Sequence, residues 1–199
     1  MIKCKKNALI TGAGSDIAKS IVENFKNNFN FIQHKQNHLD GFLFGDLSDK
    51  NITEKVFDNI KNLDLLVCCA GGVKGIVKKP NPDDCIFIEL EDYNEILNIN
   101  FFSTFLTCKY VIEKMNLNSN IIIIGSAVVS KPRKNAEIGM YACAKAAVHE
   151  YTIHLAKQLE NKIKVNCLAT DGHEINKIID SINMILKSNI TGEIFRLEK

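Results

Sequence analysis

Asn7-Ala8-Leu9-Ile10-Thr11-Gly12-Ala13-Gly14-Ser15-Asp16-Ile17-Ala18 is the stretch of sequence that decides the fold. An apolar run ends in a glycine-rich turn, and the helical pattern that follows places Ile17, Ile21, Val22 and Phe25 on one face. The order is therefore strand, glycine turn, helix. The N-terminus of a helix presents unpaired N–H groups and a partial positive charge, so this turn is a candidate phosphate site. A glycine turn alone is weak evidence, because such turns join many strands to helices.

The alternation of strand and helix continues along the chain. After the first helix, the pattern predicts strands at residues 29–34, 41–44, 63–69, 120–125, 163–169 and 192–197. It predicts further helices at residues 50–62, 91–115, 140–160 and 173–188. Residues 73–90 contain Pro80 and Pro82 and are predicted to be a loop. The residues between the second and third strands are too few for a full crossover helix, so that helix is missing or the crossover is an irregular loop.

This order of elements predicts an α/β fold with a doubly wound, mostly parallel, Rossmann-like sheet of about seven strands and helices on both faces. The four consecutive isoleucines at residues 121–124 predict that the fifth strand is buried on both faces. No internal linker is found, so residues 1–199 are expected to form a single domain. Ligands bind such sheets beyond the C-terminal ends of the strands. The loops expected to converge there begin at Gly12, Asp46, Gly71, Ser126 and Thr170.

Composition argues against several classes of protein. A hydrophobic fraction of 46% and a charged fraction of 24% are typical of a globular protein. The net charge of +2, with scattered basic residues, predicts neither a nucleic-acid nor a membrane-surface partner. No apolar run approaches the roughly 20 residues of a membrane span, and no signal peptide is predicted. The seven cysteines lack the spacing of a metal site or a disulfide framework, so we expect a cytoplasmic protein without a metal.

Tyr141 and Lys145 form a second candidate site, on the helix predicted at residues 140–160. Residues four positions apart lie on one face of a helix. A positive charge beside a phenol stabilises the phenolate, so the pair can serve as an acid/base unit. The spacing alone is weak evidence, because Tyr and Lys meet in this way on many helix surfaces.

Together these motifs resemble the short-chain dehydrogenase/reductase family over nearly the whole chain. Residues 11–18 resemble the family's T-G-x-x-x-G-x-G turn, and Tyr141-x-x-x-Lys145 is similar to its signature. Further matches occur in the family's order, at Asp46-Leu47 (which meets the adenine), Cys69-Ala70-Gly71 (N-A-G), Asn98-Ile99-Asn100 (N-x-N), Ile124-Gly125-Ser126, residues 165–169 and Ile190-Thr191-Gly192. Several motifs in the right order are far more specific than any one of them.

The resemblance implies a dinucleotide-binding domain that transfers hydride between a nicotinamide and a small carbonyl or alcohol. Tyr141 would be the general acid/base on the substrate oxygen, and Lys145 would favour its phenolate and hold the nicotinamide ribose. Ser126 would hydrogen-bond the substrate oxygen, and Asn100 would anchor a water that relays protons. The cofactor-binding residues that it implies are Gly12, Gly14, Ser15, Asp16, Ile17, His34, Lys35, Asp46, Leu47, Cys69, Ala70, Gly71, Tyr141, Lys145 and Thr170.

The sequence departs from the family's pattern at several positions. Asp16 replaces a glycine. A carboxylate there suits the helix dipole and can cap the turn, and we expect it to point away from the pyrophosphate, which it would repel. Cys69 replaces an asparagine. Ser126 lies fifteen residues before Tyr141 (141 − 126), a wider gap than is usual, which predicts an insertion in the loop between them. Ser130 is a poorer candidate for the active serine, because it lies farther from the strand end.

The segment that covers the substrate in the family is largely missing, because residues 171–175 pass almost directly into the last helix. This predicts an open site and motivates an alternative function, that of a catalytically reduced relative that binds a nucleotide or a partner protein. A weaker alternative is a non-redox sugar-modifying enzyme on the same fold.

Cofactor choice depends on the end of the second strand. Residues 33–36 contain no acidic residue to bind a ribose 2′-OH, and Lys35, with His34, is placed to meet a 2′-phosphate, so NADP is expected, with NAD as the alternative. The family resemblance also implies a homodimer or homotetramer formed through the helices at residues 91–115 and 140–160. His149 and His154 are expected to be solvated or to lie at that interface.

Overall fold

The structure of the chain is a computed structural model that describes residues 5–72, 84–129, 138–171 and 174–197. The strands in these ranges are β1 (Lys6–Thr11), β2 (Phe29–Lys35), β3 (Leu43–Phe44), β4 (Leu63–Cys68), β5 (Met115–Ser126), β6 (Ile163–Thr170) and β7 (Ile194–Leu197). The α-helices are α1 (Asp16–Phe25), α2 (Lys50–Phe57), α3 (Asp84–Phe87), α4 (Leu90–Leu97), α5 (Ser103–Val111), α6 (Gly139–Gln158) and α7 (Ile175–Lys187).

The strands form one sheet in the order β3-β2-β1-β4-β5-β6-β7, and every neighbouring pair is parallel. The predicted doubly wound parallel sheet is therefore confirmed. Because the strands are parallel, their C-terminal ends share one edge, where Thr11 pairs with Cys68 and Ser126 pairs with Thr170. Strands β2 and β3 are added on one side of β1, and β4 to β7 are added on the other side. Ligands bind such sheets at the point between β1 and β4 where the strand order reverses.

A hydrophobic layer covers each face of the sheet. Helices α1 and α7 bury Ala18, Ile21, Phe25, Ile178, Ile182 and Ile185 against one face. Helices α2, α5 and α6 bury Phe57, Cys108, Val111, Val148 and Leu155 against the other. The isoleucines of β5 alternate between these two layers, as successive side chains of a strand do. All four are at most 8% exposed, which confirms that β5 is buried on both faces.

The helix predicted at residues 91–115 is observed as an unbroken helical run over residues 90–114, but it is not α-helical throughout. A π-helical turn (Asn98–Phe102) separates α4 from α5, and a short 3₁₀ turn (Ile112–Lys114) follows α5. The wide turn surrounds Asn100, whose side-chain Nδ2 donates to the carbonyl oxygen of Ile96. Met115 belongs to β5, because it pairs with Leu63 at the start of β4. Strand pairing therefore extends β5 well before residue 120, where the sequence predicted its start.

Other boundaries also differ from the predictions. Helix α2 ends at Phe57, and the following segment turns through Asn62, which has a left-handed φ of 54°. The predicted loop at residues 73–90 contains α3 and the first residue of α4, while residues 73–83 lie outside the described ranges. No helix is found at residues 36–42, so β2 and β3 are joined without a crossover helix.

Candidate active site

A cavity of about 500 Å³ opens at the shared C-terminal edge of the sheet. Ten of the fifteen residues predicted to bind a cofactor line it: Gly12, Gly14, Ser15, His34, Lys35, Asp46, Leu47, Cys69, Ala70 and Gly71. The remaining five, which do not, are Asp16, Ile17, Tyr141, Lys145 and Thr170. The sequence did not indicate the rest of the lining, which comes from the β2–β3 connection, the residue after β3, the π-helical turn and the start of α5: Gln36, Asn37, His38, Leu39, Gly45, Ile99 and Ser103.

The glycine turn after β1 shapes one end of the cavity. Gly12 has a φ of +64°, and a Cβ atom there would lie 2.7 Å from the backbone nitrogen of Ala70, so only glycine lets the β1 turn contact the end of β4. A Cβ atom on Gly14 would meet nothing within 4 Å, which leaves open space at the N-terminus of α1. The exposed N–H groups of that helix suit an anionic group such as a phosphate.

Ser15, and not Asp16, caps α1. The Oγ atom of Ser15 accepts a hydrogen bond from the backbone nitrogen of Ala18 at 3.2 Å. Asp16 occupies the first helical position, and its side chain is 93% exposed and paired with Lys19 at 3.2 Å. The capping that the sequence allowed for Asp16 is supplied by Ser15, and the Asp16 side chain does not line the cavity.

His34 and Lys35 end β2 at the opposite part of the cavity. The Nε2 atom of His34 donates to the carbonyl oxygen of Gly45 at 3.0 Å, and the residue is 2% exposed. Burial lowers the pKa of His34, although the hydrogen bond to Gly45 and the nearby Asp46 partly oppose this effect. The imidazole is therefore neutral at pH 7 and offers no charge to a phosphate. Lys35 is the cation at this end, with its Nζ atom 4.1 Å from the centre of the Phe42 ring.

Asp46 and Cys69 line the cavity, Asp46 with a hydrogen-bonded side chain and Cys69 with a protonated thiol. The Oδ1 atom of Asp46 accepts hydrogen bonds from the backbone nitrogen and the Oγ atom of Ser48, at 2.8 and 2.7 Å. Burial raises the pKa of the Cys69 thiol to about 12. The thiol is thus protonated at neutral pH, which leaves it a small, weakly polar part of the wall.

Asn100 is fully buried, and its side-chain amide holds the backbone of Gly72. Its Oδ1 atom accepts from the nitrogen of Gly72 at 2.8 Å, and its Nδ2 atom donates to the oxygen of Gly72 at 2.9 Å. A Cβ atom on the adjacent Gly71 would lie 2.7 Å from Oδ1 of Asn100. The π-helical turn therefore fixes the glycines that follow β4.

Lys145 approaches Gly71 from α6, and Tyr141 lies one turn earlier on that helix. The ammonium of Lys145 is 4% exposed and donates to the carbonyl oxygen of Ile124 at 3.0 Å. It lies 5.8 Å from the centre of the Tyr141 ring and 3.2 Å from the position of a Cβ atom on Gly71. Since Gly71 also lines the cavity, Lys145 and Asn100 meet directly behind the cavity wall, with the Tyr141 ring beside Lys145.

Ser126 is the last residue of β5 and is 6% exposed. Its Oγ atom accepts a hydrogen bond from the backbone nitrogen of Val128 at 3.4 Å, within a short 3₁₀ turn. Ile124, which binds Lys145, lies two positions earlier on the same strand, so β5 links Ser126 to the Tyr141–Lys145 pair. Ser130, the poorer candidate, lies outside the described residues.

His149 was missed by the sequence reasoning, which placed it in solvent or at an interface. It is 6% exposed, and its Nε2 atom accepts a hydrogen bond from the backbone nitrogen of Ser126 at 3.5 Å. Burial, then the charges of Arg196 and Lys145, lowers its pKa to about 4. The spacing contained a signal, because His149 follows Lys145 by four residues and so shares its helix face. His154 is exposed, as one of the two alternatives predicted.

Among residues 5–72, 84–129, 138–171 and 174–197, no three His, Cys, Asp or Glu side chains are grouped so that they could hold a metal ion. Within the same ranges, no helix is long and apolar enough to cross a membrane.

Comparison with known proteins adds to this geometry. A 3-oxoacyl-(acyl-carrier-protein) reductase of Chlamydia pneumoniae is 30% identical over 146 residues, which cover 72% of this chain and 54% of the relative, so the chain spans about half of that relative's length. A 7α-hydroxysteroid dehydrogenase of Escherichia coli K12 is 26% identical over 210 residues, covering 95% of this chain and 76% of the relative.

A solved structure with the same fold is that of a small-chain dehydrogenase in complex with NADPH. It has a TM-score of 0.81 and 15% sequence identity, and the match covers 98% of this chain and 97% of that one. Finally, the family model described as short chain dehydrogenase matches residues 6–176. The chain is therefore a member of the short-chain dehydrogenase/reductase family of oxidoreductases.

Proposed function

We propose that the protein transfers hydride between NAD(P) and a small carbonyl or alcohol substrate. The observation that carries the proposal is the meeting of Asn100 and Lys145 at Gly71, in the wall of the cavity, with the Tyr141 ring 5.8 Å from the Lys145 ammonium. The Tyr141 phenol can give and take a proton, and the buried Lys145 ammonium lies beside its ring. Membership of the family and the dehydrogenase and reductase names of the relatives support this reading.

The lining of the cavity supports a dinucleotide as its ligand. Gly14 leaves open space at the N-terminus of α1, where the pyrophosphate would bind between the helix N–H groups. The cavity extends from there to His34, Lys35 and Asp46, where the adenosine would lie. At the other end it reaches Gly71, behind which Lys145 would hold the nicotinamide ribose. When bound, the nicotinamide supplies the redox chemistry, and the protein supplies binding and proton transfer.

The protein's own groups would manage the proton and the charge on the substrate oxygen. The Tyr141 hydroxyl would give a proton to that oxygen during reduction and take it back during oxidation. Ser126 would donate a hydrogen bond to the same oxygen as negative charge develops there. Asn100 has both side-chain atoms engaged with Gly72 and Ile96, so its contribution to a proton-relaying water would come from its backbone.

We further propose that NADP is preferred over NAD. Lys35 ends β2 and lines the cavity, whereas the neutral His34 beside it contributes shape and no charge. Lys35→Asp should weaken NADPH binding at least tenfold while leaving NADH binding unchanged or stronger. Lys61→Asp, at an exposed position after α2, is the matched control and should alter neither affinity. Equal loss of both affinities in Lys35→Asp would overturn the assignment of Lys35.

The family's assembly is proposed for this chain as well, as a homodimer or homotetramer formed through α4, α5 and α6. Phe102 on the π-helical turn is 43% exposed and Ile153 on α6 is 41% exposed, so both present apolar surface. Sedimentation that shows only monomer up to high concentration would overturn the assembly.

Residues 1–199 would form one dinucleotide-binding domain with a reduced substrate cover. The free cysteines favour a reducing, cytoplasmic location.

The activity is tested by NADPH fluorescence followed by turnover assays. NADPH should bind, and a panel with a 3-oxoacyl thioester for reduction and a 7α-hydroxysteroid for oxidation should reveal turnover with at least one small substrate. No change in NADPH fluorescence at near-millimolar cofactor would refute the proposal. Cofactor binding without any turnover would instead favour the alternative of a catalytically reduced relative.

A further inference from the structure

The C-terminal end of β5 extends beyond its neighbour β4. The last residue of β4, Cys68, pairs with Ile123, so residues 124–126 of β5 have no partner on that strand. Backbone groups that lose a ladder partner need another one when they are buried. Helix α6 supplies two partners one turn apart: Lys145 donates to the oxygen of Ile124, and His149 accepts from the nitrogen of Ser126.

The imidazole of His149 occupies the space that a side chain at residue 125 would fill. A Cβ atom on Gly125 would lie 2.5 Å from Nε2 of His149 and 2.6 Å from the Sγ atom of Cys167. Glycine at this position therefore admits the ring to the backbone of β5. Because Nε2 accepts a hydrogen bond, the ring must be neutral and must carry its proton on Nδ1. The lowered pKa of His149 keeps it in that form above about pH 5.

We propose that His149 is a positioning residue: by accepting the Ser126 N–H, it fixes the end of β5 and with it the Ser126 hydroxyl. Tyr141, Lys145 and His149 follow at intervals of four residues on one face of α6, so one helix face would serve proton transfer, cofactor binding and alignment of the serine. This inference rests on the proposed function, because Ser126 acts on the substrate oxygen only if the reaction is the one proposed.

The experiment compares the wild type with His149→Gln and His149→Leu. Glutamine can accept the same N–H through its side-chain oxygen, whereas leucine cannot. In His149→Leu, the amide of Ser126 should exchange its hydrogen at least tenfold faster, and kcat should fall at least tenfold while the KM for NADPH stays within twofold. His149→Gln should restore most of both properties. His154→Leu, at an exposed histidine of the same helix, is the matched control.

Several results would overturn the proposal. One is unchanged Ser126 exchange and kcat in His149→Leu, and another is a loss in His149→Gln as large as that in His149→Leu. If His149→Leu does not fold, nitrogen NMR of the wild-type imidazole decides, because a proton on Nε2 would contradict the hydrogen bond. A wild type that binds NADPH but turns over no substrate would refute the proposed function and the catalytic part of this inference. The hydrogen-exchange rates of the Ser126 amide would still test the hydrogen bond between Ser126 and His149.

Discussion

The side-chain amide of Asn100 forms two hydrogen bonds with the backbone of Gly72, accepting from its nitrogen at 2.8 Å and donating to its oxygen at 2.9 Å. The pair joins the π-helical turn to the segment after β4, across 28 residues of sequence. It also holds Gly71 against the Lys145 ammonium. The wall that separates the cavity from the Tyr141–Lys145 pair thus depends on one buried side chain.

Asn100→Ala should destabilise the fold and loosen this wall. The substitution leaves the nitrogen and oxygen of Gly72 without their partner, and each such loss costs about 1–3 kcal/mol. Urea denaturation should therefore show a loss of roughly 2 kcal/mol or more in the free energy of unfolding. Asn98→Ala, at an exposed position of the same π-helical turn, should cost far less. Equal losses in the two variants would contradict the role given to Asn100.

The two glycines of the first turn should respond differently to alanine. In Gly12→Ala, the Cβ atom would meet the backbone at 2.7 Å and the residue would keep a positive φ, so stability should fall by about 1–3 kcal/mol. In Gly14→Ala, the Cβ atom enters open space, and stability should stay within about 0.5 kcal/mol of the wild type. Gly14→Ala should nevertheless weaken NADPH binding, as measured by fluorescence titration. Unchanged NADPH affinity would place the pyrophosphate elsewhere.

A comparison of two helix-capping residues distinguishes an effect on stability from an effect on cofactor binding. Ser15 caps α1 and Asp49 caps α2, through hydrogen bonds to the nitrogens of Ala18 and Ile52. Replacing either residue by alanine should cost about 1 kcal/mol of stability. Only Ser15 lines the cavity, so only Ser15→Ala should also weaken NADPH binding. A comparable loss of NADPH affinity in Asp49→Ala would show that the effect comes from general destabilisation.

Acid should destabilise the protein through His149. Its pKa lies near 6.5 in the unfolded chain and is lowered to about 4 in the folded one, so between these values the unfolded state binds more protons. The contribution of neutral His149 to the free energy of unfolding is therefore complete above pH 6.5. It is lost as the pH falls, and about 2 kcal/mol is lost at pH 5. The pKa of His34 is also lowered by burial, so protonation of His34 should likewise destabilise the folded protein as the pH falls.

The pH effect can be measured by urea denaturation between pH 5 and pH 7.5. His149→Gln should remove much of the dependence on pH, whereas His154→Gln should leave it unchanged because His154 is exposed. An unchanged slope in His149→Gln would mean that the folded protein protonates His149 as readily as the unfolded chain does.

The sequence predicted the sheet because its signals were local and periodic. The strand–turn–helix of residues 7–18 and the isoleucines of β5 each specify an element without reference to distant residues. Asn100 and His149 show where such reasoning fails. The π-helical turn depends on a contact with Gly72, and the burial of His149 depends on a glycine in β5. Helical periodicity places His149 on the same face as Lys145, but it does not show the distant residues that His149 and Asn100 contact.

The central claim is that Tyr141 is the proton donor and acceptor of an NAD(P)-dependent reaction, and the most direct test is the turnover of Tyr141→Phe. Removing the hydroxyl leaves the cavity lining intact, so NADPH should bind within twofold of the wild-type affinity while kcat falls at least a hundredfold, the lower end of what acid/base catalysis contributes. Tyr110→Phe, on α5, is the matched control and should retain full activity. Wild-type turnover in Tyr141→Phe would contradict the claim.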